Sequence, residues 1–385
     1  WGTVVVLLAT LAAPLLNAAF FDGKLSWEFF AIAFVGTLFA QVISQSAEVM
    51  RLLYRPWGYI GITLTQSVFA ATLVLTAILV FDQGIFGFFI GTALASLLVA
   101  VFGWFRIREY LRFDRLYVDW WPQLVRFGAP LVPAGLAMYF MNTADRWFVQ
   151  YYHGEEALGL FAIGAKFAML MALAVETFRK AWWPIAMDAM HSDDGPENFR
   201  AIAILYMGLG TAAVVILTVL SPGLVRWLTA PAFIDAWPIV GILAWQALLY
   251  GFFLIASAGI WKAEKTYLNF YLMGVAAILG VGLNWFLVPV LGGVGAALAT
   301  VITYFLWVIL SMIVGESLWR VGFPWVRLLL QVTVGLVFVG WYLVSASTVN
   351  QAVPYLVALL VVCIQLLSVV EFSKVRRFKR LFKAA

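Results

Sequence analysis

The chain reads as twelve apolar stretches separated by short polar breaks, each near the ~20 residues a helix needs to span a bilayer. They run at approximately Gly2–Phe20, Trp27–Gln45, Gly58–Val80, Ile85–Phe105, Phe127–Tyr152, Ala157–Phe178, Ala201–Ser221, Ala236–Ile260, Tyr267–Val288, Val294–Val314, Leu328–Val344 and Pro354–Val370. A transmembrane barrel would instead show short strands of alternating polarity, whereas here Pro and Gly lie inside continuous apolar blocks. The pattern predicts an all-α polytopic membrane protein. Pro184, after Trp182 and Trp183, is expected to end its helix at the interface, and the polar run from His191 to Asn198 to join two halves of a lobe.

Charge adds orientation. When the connections are numbered alternately, 20 of the 24 basic residues fall on one face, among them Arg51, Arg55, Arg106, Arg108, Arg179, Lys180, Lys262, Arg320 and the tail from Lys374 to Lys383. Only Lys24 and Arg226 fall on the other, while Arg146 and Lys166 lie within helices. The positive-inside rule makes the rich face cytoplasmic and places the C-terminus there, as expected of a multi-pass bacterial inner-membrane protein. A composition of 64% hydrophobic and 11% charged residues agrees. The net charge of +5 suits anionic lipid headgroups and gives no reason to invoke nucleic acid. Cys363, the single cysteine, has no partner for an internal disulfide and is expected to be a small packing residue. The chain opens at Trp1 inside an apolar run without a basic n-region, which resembles a start partway through a longer protein rather than a signal peptide.

Sliding the chain by 208 positions sets Tyr59 on Tyr267, Leu75 on Leu283, Gly84 on Gly292, Gly87 on Gly295 and Thr92 on Thr300. An even helix offset implies two copies of like orientation. Helices one to four would then correspond to helices seven to ten, with a further pair of helices preceding Trp1 and fourteen spans in the intact protein. The expected divisions are residues 1–122, a first lobe; 123–315, a second lobe of six spans; and 316–385, two additional spans and a basic tail.

The run FGAPLVPAGLAMYFMNTADRWFVQYYHGEEALGLFAIGAKFA from Phe127 resembles the Wzx-type polysaccharide flippases of the multidrug/oligosaccharidyl-lipid/polysaccharide exporter superfamily. It carries an Asp-Arg pair at Asp145-Arg146, a short turn, Gly159-Leu160-Phe161 and a basic Lys166. SPGLVRWLTAPAFIDAWPIVGIL from Ser221 and the segment from Asn284 to GGVGAALAT are also similar. The resemblance covers about Leu25 to Val314 and implies two pseudo-symmetric helical lobes around a central cavity, with two extra C-terminal helices outside. It further implies export of a lipid-linked oligosaccharide, usually on undecaprenyl pyrophosphate, for O-antigen or exopolysaccharide synthesis. Such a headgroup cannot cross hydrocarbon unaided, so its carrier requires a hydrated, cationic cavity. The implied partners are that substrate, membrane lipids, and a polysaccharide polymerase with its chain-length machinery; no cofactor is implied.

Ionisable groups at membrane depth usually face a cavity or a partner, so they are the candidate site. Lys166 lies roughly 12 Å into its helix at ~1.5 Å per residue. Two readings stand: it pairs with the pyrophosphate, or it neutralises Asp145. Asn142, Asp145 and Arg146, spaced by three and four, form a polar stripe. Asn142, Arg146, Lys166 and Lys180 are thus candidates for binding substrate. Asp145 and Glu176 are candidates for ion coupling, since a buried carboxylate beside a cation can bind and release a proton when the pair is disrupted. Pro130 and Pro133 weaken the start of this helix and are a candidate hinge.

Catalysis finds no constellation. His153 and His191 fall in separate loops on opposite sides, which leaves no metal cluster or His-based triad. The main rival is a drug or metabolite cation antiporter of the same superfamily, for which an acidic cavity would be expected.

Overall fold

The computed structural model describes residues 2–21, 26–53, 55–111, 121–122, 131–265, 267–345 and 352–373. Pro130, Lys24, Arg112, Arg115, Arg126 and the tail cations from Lys374 onward lie outside these. The described residues are helical with no strand, because hydrocarbon offers backbone groups no partner and each apolar run must satisfy its own. Two units are delimited, Trp1–Trp121 and Pro122–Ala385.

The first unit contains α1 (Gly2–Leu11), α2 (Ala13–Phe21), α3 (Trp27–Leu52), α4 (Pro56–Leu79) and α5 (Gly84–Ile107). The sequence predicts a single span over Gly2–Phe20, but the helix breaks at Ala12. Pro14 in the first turn of α2 has no N–H to continue the ladder and is tolerated only at a helix start. Helices α3, α4 and α5 pack on a small core of Ile43, Ala47, Met50, Ile62, Val99 and Ala100. The α4–α5 contact depends on Gly91, where a Cβ would sit 2.8 Å from the Val74 backbone.

The second unit holds α6 (Leu131–Met190), α7 (Gly195–Leu228), α8 (Trp237–Ala256), α9 (Ala258–Lys262), α10 (Tyr267–Leu318), α11 (Trp325–Ser345) and α12 (Ala352–Ser373). Two of these elements are each a pair of helices joined at one glycine. Gly154 leaves helical geometry at φ 80 and ψ −171, and Gly292 at φ 56 and ψ −135. Both lie in the left-handed region that favours glycine. The halves of α10 pack back on one another: a Cβ on Gly295 would strike the Leu287 carbonyl, and one on Gly280 would meet Thr303 Oγ1 at 2.8 Å. The matched glycine of the 208-residue shift, Gly84, also has a positive φ of 50, although its turn is longer and includes a second positive φ at Asp82.

Among the described residues, eight helices are long and apolar enough to cross a membrane, α6 and α10 among them. Helix α8 is apolar on all sides and correspondingly the most enclosed, with Trp245, Leu248 and Ile255 almost fully buried between α6, α7 and α10. Helices α11 and α12 pack on α7. Large apolar side chains such as Phe286, Val290 and Leu359 face outward, as expected of a lipid-facing surface. Hydroxyls in the apolar layers bond back to the carbonyl four residues earlier, as Thr218 does to Val214 and Ser257 to Phe253, at 2.7 Å each.

Two expectations are corrected. Helix α6 does not end at Pro184 but runs on to Met190, because Trp182 before the proline and Ala186, Ala189 and Met190 after it are buried in the core. That packing outweighs one missing ladder bond. Cys363, expected to pack, is exposed, because α12 buries Ala358, Val361 and Gln365 and so turns position 363 outward.

Gly259 in α9 abuts the Gly315 backbone so closely that an added Cβ would overlap its carbonyl. Gly259→Ala is expected to destabilise the second unit by about 1–3 kcal/mol, the cost of overpacking. A melting temperature unchanged from wild type, measured in detergent, would contradict so close a contact.

Candidate functional site

The site forms because the two halves of α6 run back past each other from Gly154. Asp145 precedes this turn by nine residues and Lys166 follows it by twelve, placing them roughly 13 Å and 18 Å from it at ~1.5 Å per residue. Lys166 is therefore deeper than the sequence alone suggests, because the second half of α6 begins directly after Gly154 and not at Ala157.

The turns of α6 and α10 are fastened together. His153 Nε2 lies 2.8 Å from the Val288 carbonyl, which can only accept, so this nitrogen carries the proton. The bond joins residues 135 positions apart in the chain, next to Gly154 on one side and just before Gly292 on the other. Trp285 adds edge contacts to Phe148 and Tyr152, with ring centroids 6.4 Å apart in each case. The aromatic and histidine contacts fix the register that sets Asp145 beside α10.

A cavity of about 320 Å³ lies within the second unit, and its lining includes Asn142, Asp145, Arg146, Lys166, Gln246 and Tyr304. Four sequence candidates thus converge. Asn142 Oδ1 accepts from Gln246 Nε2 at 3.3 Å and from the Tyr304 hydroxyl at 2.8 Å, tying α6 to α8 and to α10. Asp145 is 6% exposed; its Oδ1 accepts from the Arg146 backbone N–H at 2.8 Å, and Thr300 of α10 faces the carboxylate. Arg146 and Lys166 are exposed although they line the cavity. The described ion pairs, Arg51 with Glu48 and Arg179 with Glu176, do not join Lys166 to Asp145.

Glu176 and Lys180 do not line this cavity. Glu176 Oε2 accepts from Arg179 at 2.8 Å, and the Arg179 guanidinium lies 4.4 Å from the centroid of Tyr250, a cavity-wall residue. Lys180 is exposed. Pro133 falls within α6.

Sequence reasoning misses Gln246, Tyr250, Thr300 and Tyr304. Gln246 could have been found, since it is the single amide in the otherwise apolar Trp237–Ala256 segment. The two tyrosines and Thr300 give no such signal, because Tyr and Thr occur throughout apolar helices.

Thr300 and Tyr304 also border a smaller space of about 40 Å³, together with Asn284 and Thr303. Asn284 Nδ2 donates to Gly280 at 2.9 Å, while its Oδ1 is buried with no hydrogen-bond partner. A space this size accepts a water or a small cation. The surrounding oxygens are hard donors, unsuited to soft transition metals, and among the described residues no three His, Cys, Asp or Glu side chains gather to hold a metal.

Residues 1–187 match the family described as "Polysaccharide biosynthesis protein". A curated relative, Lsg locus putative protein 1 of Haemophilus influenzae, is 21% identical over 163 residues, and that match spans only 41% of this chain and 41% of the relative's length. Among solved structures, the lipid II flippase MurJ in an inward closed conformation gives a TM-score of 0.70 at 15% identity, covering 99% of this chain and 82% of MurJ. A MOP superfamily transporter from Pyrococcus furiosus, whose structure is described as having a binding pocket of reverse polarity, gives 0.59 at 16% identity, covering 83% of this chain and 76% of that one. An outward-facing MATE multidrug resistance transporter matches to the same extent. Identities this low establish the fold alone. The protein is an all-helical, multi-pass membrane protein with the fold of MurJ and the MATE transporters, and the match of its residues 1–187 to the polysaccharide biosynthesis family is consistent with the Wzx-type resemblance.

Proposed function

We propose that this protein is a flippase that carries a lipid-linked oligosaccharide, of the undecaprenyl pyrophosphate type, across the bacterial cytoplasmic membrane for O-antigen or exopolysaccharide synthesis. The observation that carries the reading is Lys166 and Arg146 lining the same membrane-depth cavity as Asn142, Gln246 and Tyr304. Cationic side chains suit a pyrophosphate, and amide and hydroxyl groups suit sugar hydroxyls. A soluble or scaffolding role has no use for charges at that depth. Substrates of the relatives support the lipid-linked class: MurJ is described as a lipid II flippase, and the matched family as one of polysaccharide biosynthesis.

In this reading Lys166 and Arg146 bind the pyrophosphate, and Asp145 couples transport to a proton or sodium gradient through the oxygens of Thr300 and Asn284. Pro130 and Pro133 supply the bend for alternating access. Glu176 and Lys180 act nearer the cytoplasmic end, and a polysaccharide polymerase and chain-length machinery take the product. A cation antiporter is disfavoured because this cavity sets two cations against one carboxylate.

The test is complementation. The gene, expressed in a bacterium lacking its polysaccharide flippase, is expected to restore surface glycan and clear lipid-linked intermediates from the cytoplasmic side. Well-inserted protein that leaves those intermediates in place yet exports cationic dyes would overturn the reading in favour of the antiporter.

A further inference from the structure

The first unit has a cationic cavity that the candidate site does not use. It occupies about 380 Å³ and is lined by Met50, Arg55, Pro56, Trp57, Gly58 and Arg106. Three helix ends create it: the end of α3, the start of α4 and the end of α5. Gly58 lets two of them meet, since a Cβ there would lie 2.8 Å from Met50 Sδ. Arg55 immediately precedes α4, and Arg106 lies in the last turn of α5, so the backbone presents two guanidinium groups to one hollow.

The two arginines differ from Arg51 and Arg179 and share their kind of contact with Arg108, whose Cζ lies 5.7 Å from the centroid of Phe105. Arg51 and Arg179 each have a glutamate three residues earlier as an ion-pair partner. Arg55 and Arg106 have no carboxylate partner among the described residues. Their contacts are with rings instead: Arg55 Cζ lies 5.7 Å from the centroid of Tyr110, and Arg106 Cζ 5.7 Å from that of Phe102. Contact with a ring face orients a guanidinium and leaves its five in-plane N–H donors free. Planar donors of this kind pair with phosphate oxygens two at a time. Trp57 is 82% exposed beside them, the position of an interfacial indole at headgroup level.

We propose that Arg55, Arg106 and Trp57 form a binding site for the pyrophosphate headgroup of a lipid, a first docking point at the membrane surface built from the first unit alone. This rests on the reading of the protein as a carrier of lipid pyrophosphates. Two guanidinium groups match two linked phosphates, where a phosphodiester lipid would engage one. The cavity volume falls within the ~300–1,000 Å³ of small-molecule sites, and the lipid chain of a headgroup held there stays in the bilayer. The site lies at the helix ends that carry Arg51, Arg55, Arg106 and Arg108, the face the charge pattern assigns to the cytoplasm. Headgroups synthesised on that side would meet it before crossing.

The experiment uses the full chain in phosphatidylcholine nanodiscs, with undecaprenyl pyrophosphate binding measured by native mass spectrometry. Arg55→Gln/Arg106→Gln is expected to weaken binding at least tenfold, while Arg51→Gln, which removes a neighbouring but glutamate-paired charge, changes it less than threefold. All these side chains are exposed, so monodispersity and melting temperature should hold. Equal loss in Arg51→Gln, or equal competition by phosphatidylglycerol, would reduce the site to general surface charge. Full displacement by micromolar inorganic pyrophosphate would reassign it to a soluble anion. Unchanged binding in the double variant sinks this inference alone, whereas a wild-type protein that retains no lipid pyrophosphate sinks the carrier reading with it.

Discussion

Lys166→Ala is expected to abolish surface glycan in the complemented strain while the protein still inserts and folds. Lys166 is exposed on the wall of the cavity in the second unit and takes part in none of the described ion pairs, so its removal leaves no buried partner stranded and the fold should tolerate it. What is lost is a charge-assisted contact with the substrate. Such contacts are worth about 1.5–3 kcal/mol, a tenfold to hundredfold weakening of a step that must recur for every repeat unit. Lys166→Met separates charge from packing, because it keeps most of the apolar stem, and should fail like alanine. Lys166→Arg keeps the charge with a different donor geometry and should recover part of the flux. Normal glycan from Lys166→Met would remove the lysine from the mechanism and leave Arg146 to carry the headgroup. Protein level and detergent melting temperature, measured in parallel, separate lost transport from lost fold.

The fold was largely legible because a membrane protein writes its elements in apolar length. Spans can be placed from hydropathy alone, and Gly84 and Gly292, which the 208-residue shift aligns, both have a positive φ. Single-residue turns were harder. Nothing in the run from His153 to Glu156 shows that Gly154 alone breaks the helix, so the sequence sets Lys166 too near the surface. Pro14 and Pro184 show why proline cannot be read alone: one breaks its helix, while the other is carried through by burial on both sides.

The site was half legible for a related reason. Asn142, Asp145, Arg146 and Lys166 stand out as polar residues in apolar sequence, and the hairpin of α6 brings all four together. Their partners depend on which face of α8 and α10 turns inward, which is a property of tertiary packing. Glu176 and Lys180 share a helix with Lys166, but cavity membership also depends on depth along the helix. Lys180 lies fourteen residues beyond Lys166, roughly 21 Å at ~1.5 Å per residue, too far to share one small cavity. Arg179 instead claims Glu176.

Asp145→Asn is expected to uncouple transport from its driving ion. The carboxylate is almost completely buried, faces Thr300, and shares its cavity with Asn142, Arg146 and Lys166. An isolated buried charge is costly, so this group gains from a proton or a cation whenever the nearby cations are engaged elsewhere. A pyrophosphate drawing Arg146, the cation beside the carboxylate, toward itself would create that condition, linking substrate occupancy to ion uptake by one local exchange of partners. Asparagine keeps the shape and the hydrogen bonds to the Arg146 amide and Thr300, but it carries no charge to neutralise. In proteoliposomes loaded with lipid-linked substrate, the wild-type rate should vary with the imposed proton or sodium gradient, and the Asp145→Asn rate should not. The smaller space beside Thr300 distinguishes the ions: Asn284→Leu removes the unpartnered Oδ1 and should weaken sodium dependence at least tenfold if sodium is the ion, while leaving proton dependence intact. Gradient dependence that survives in Asp145→Asn would move the coupling site out of this cavity, with Glu176 the next carboxylate to replace.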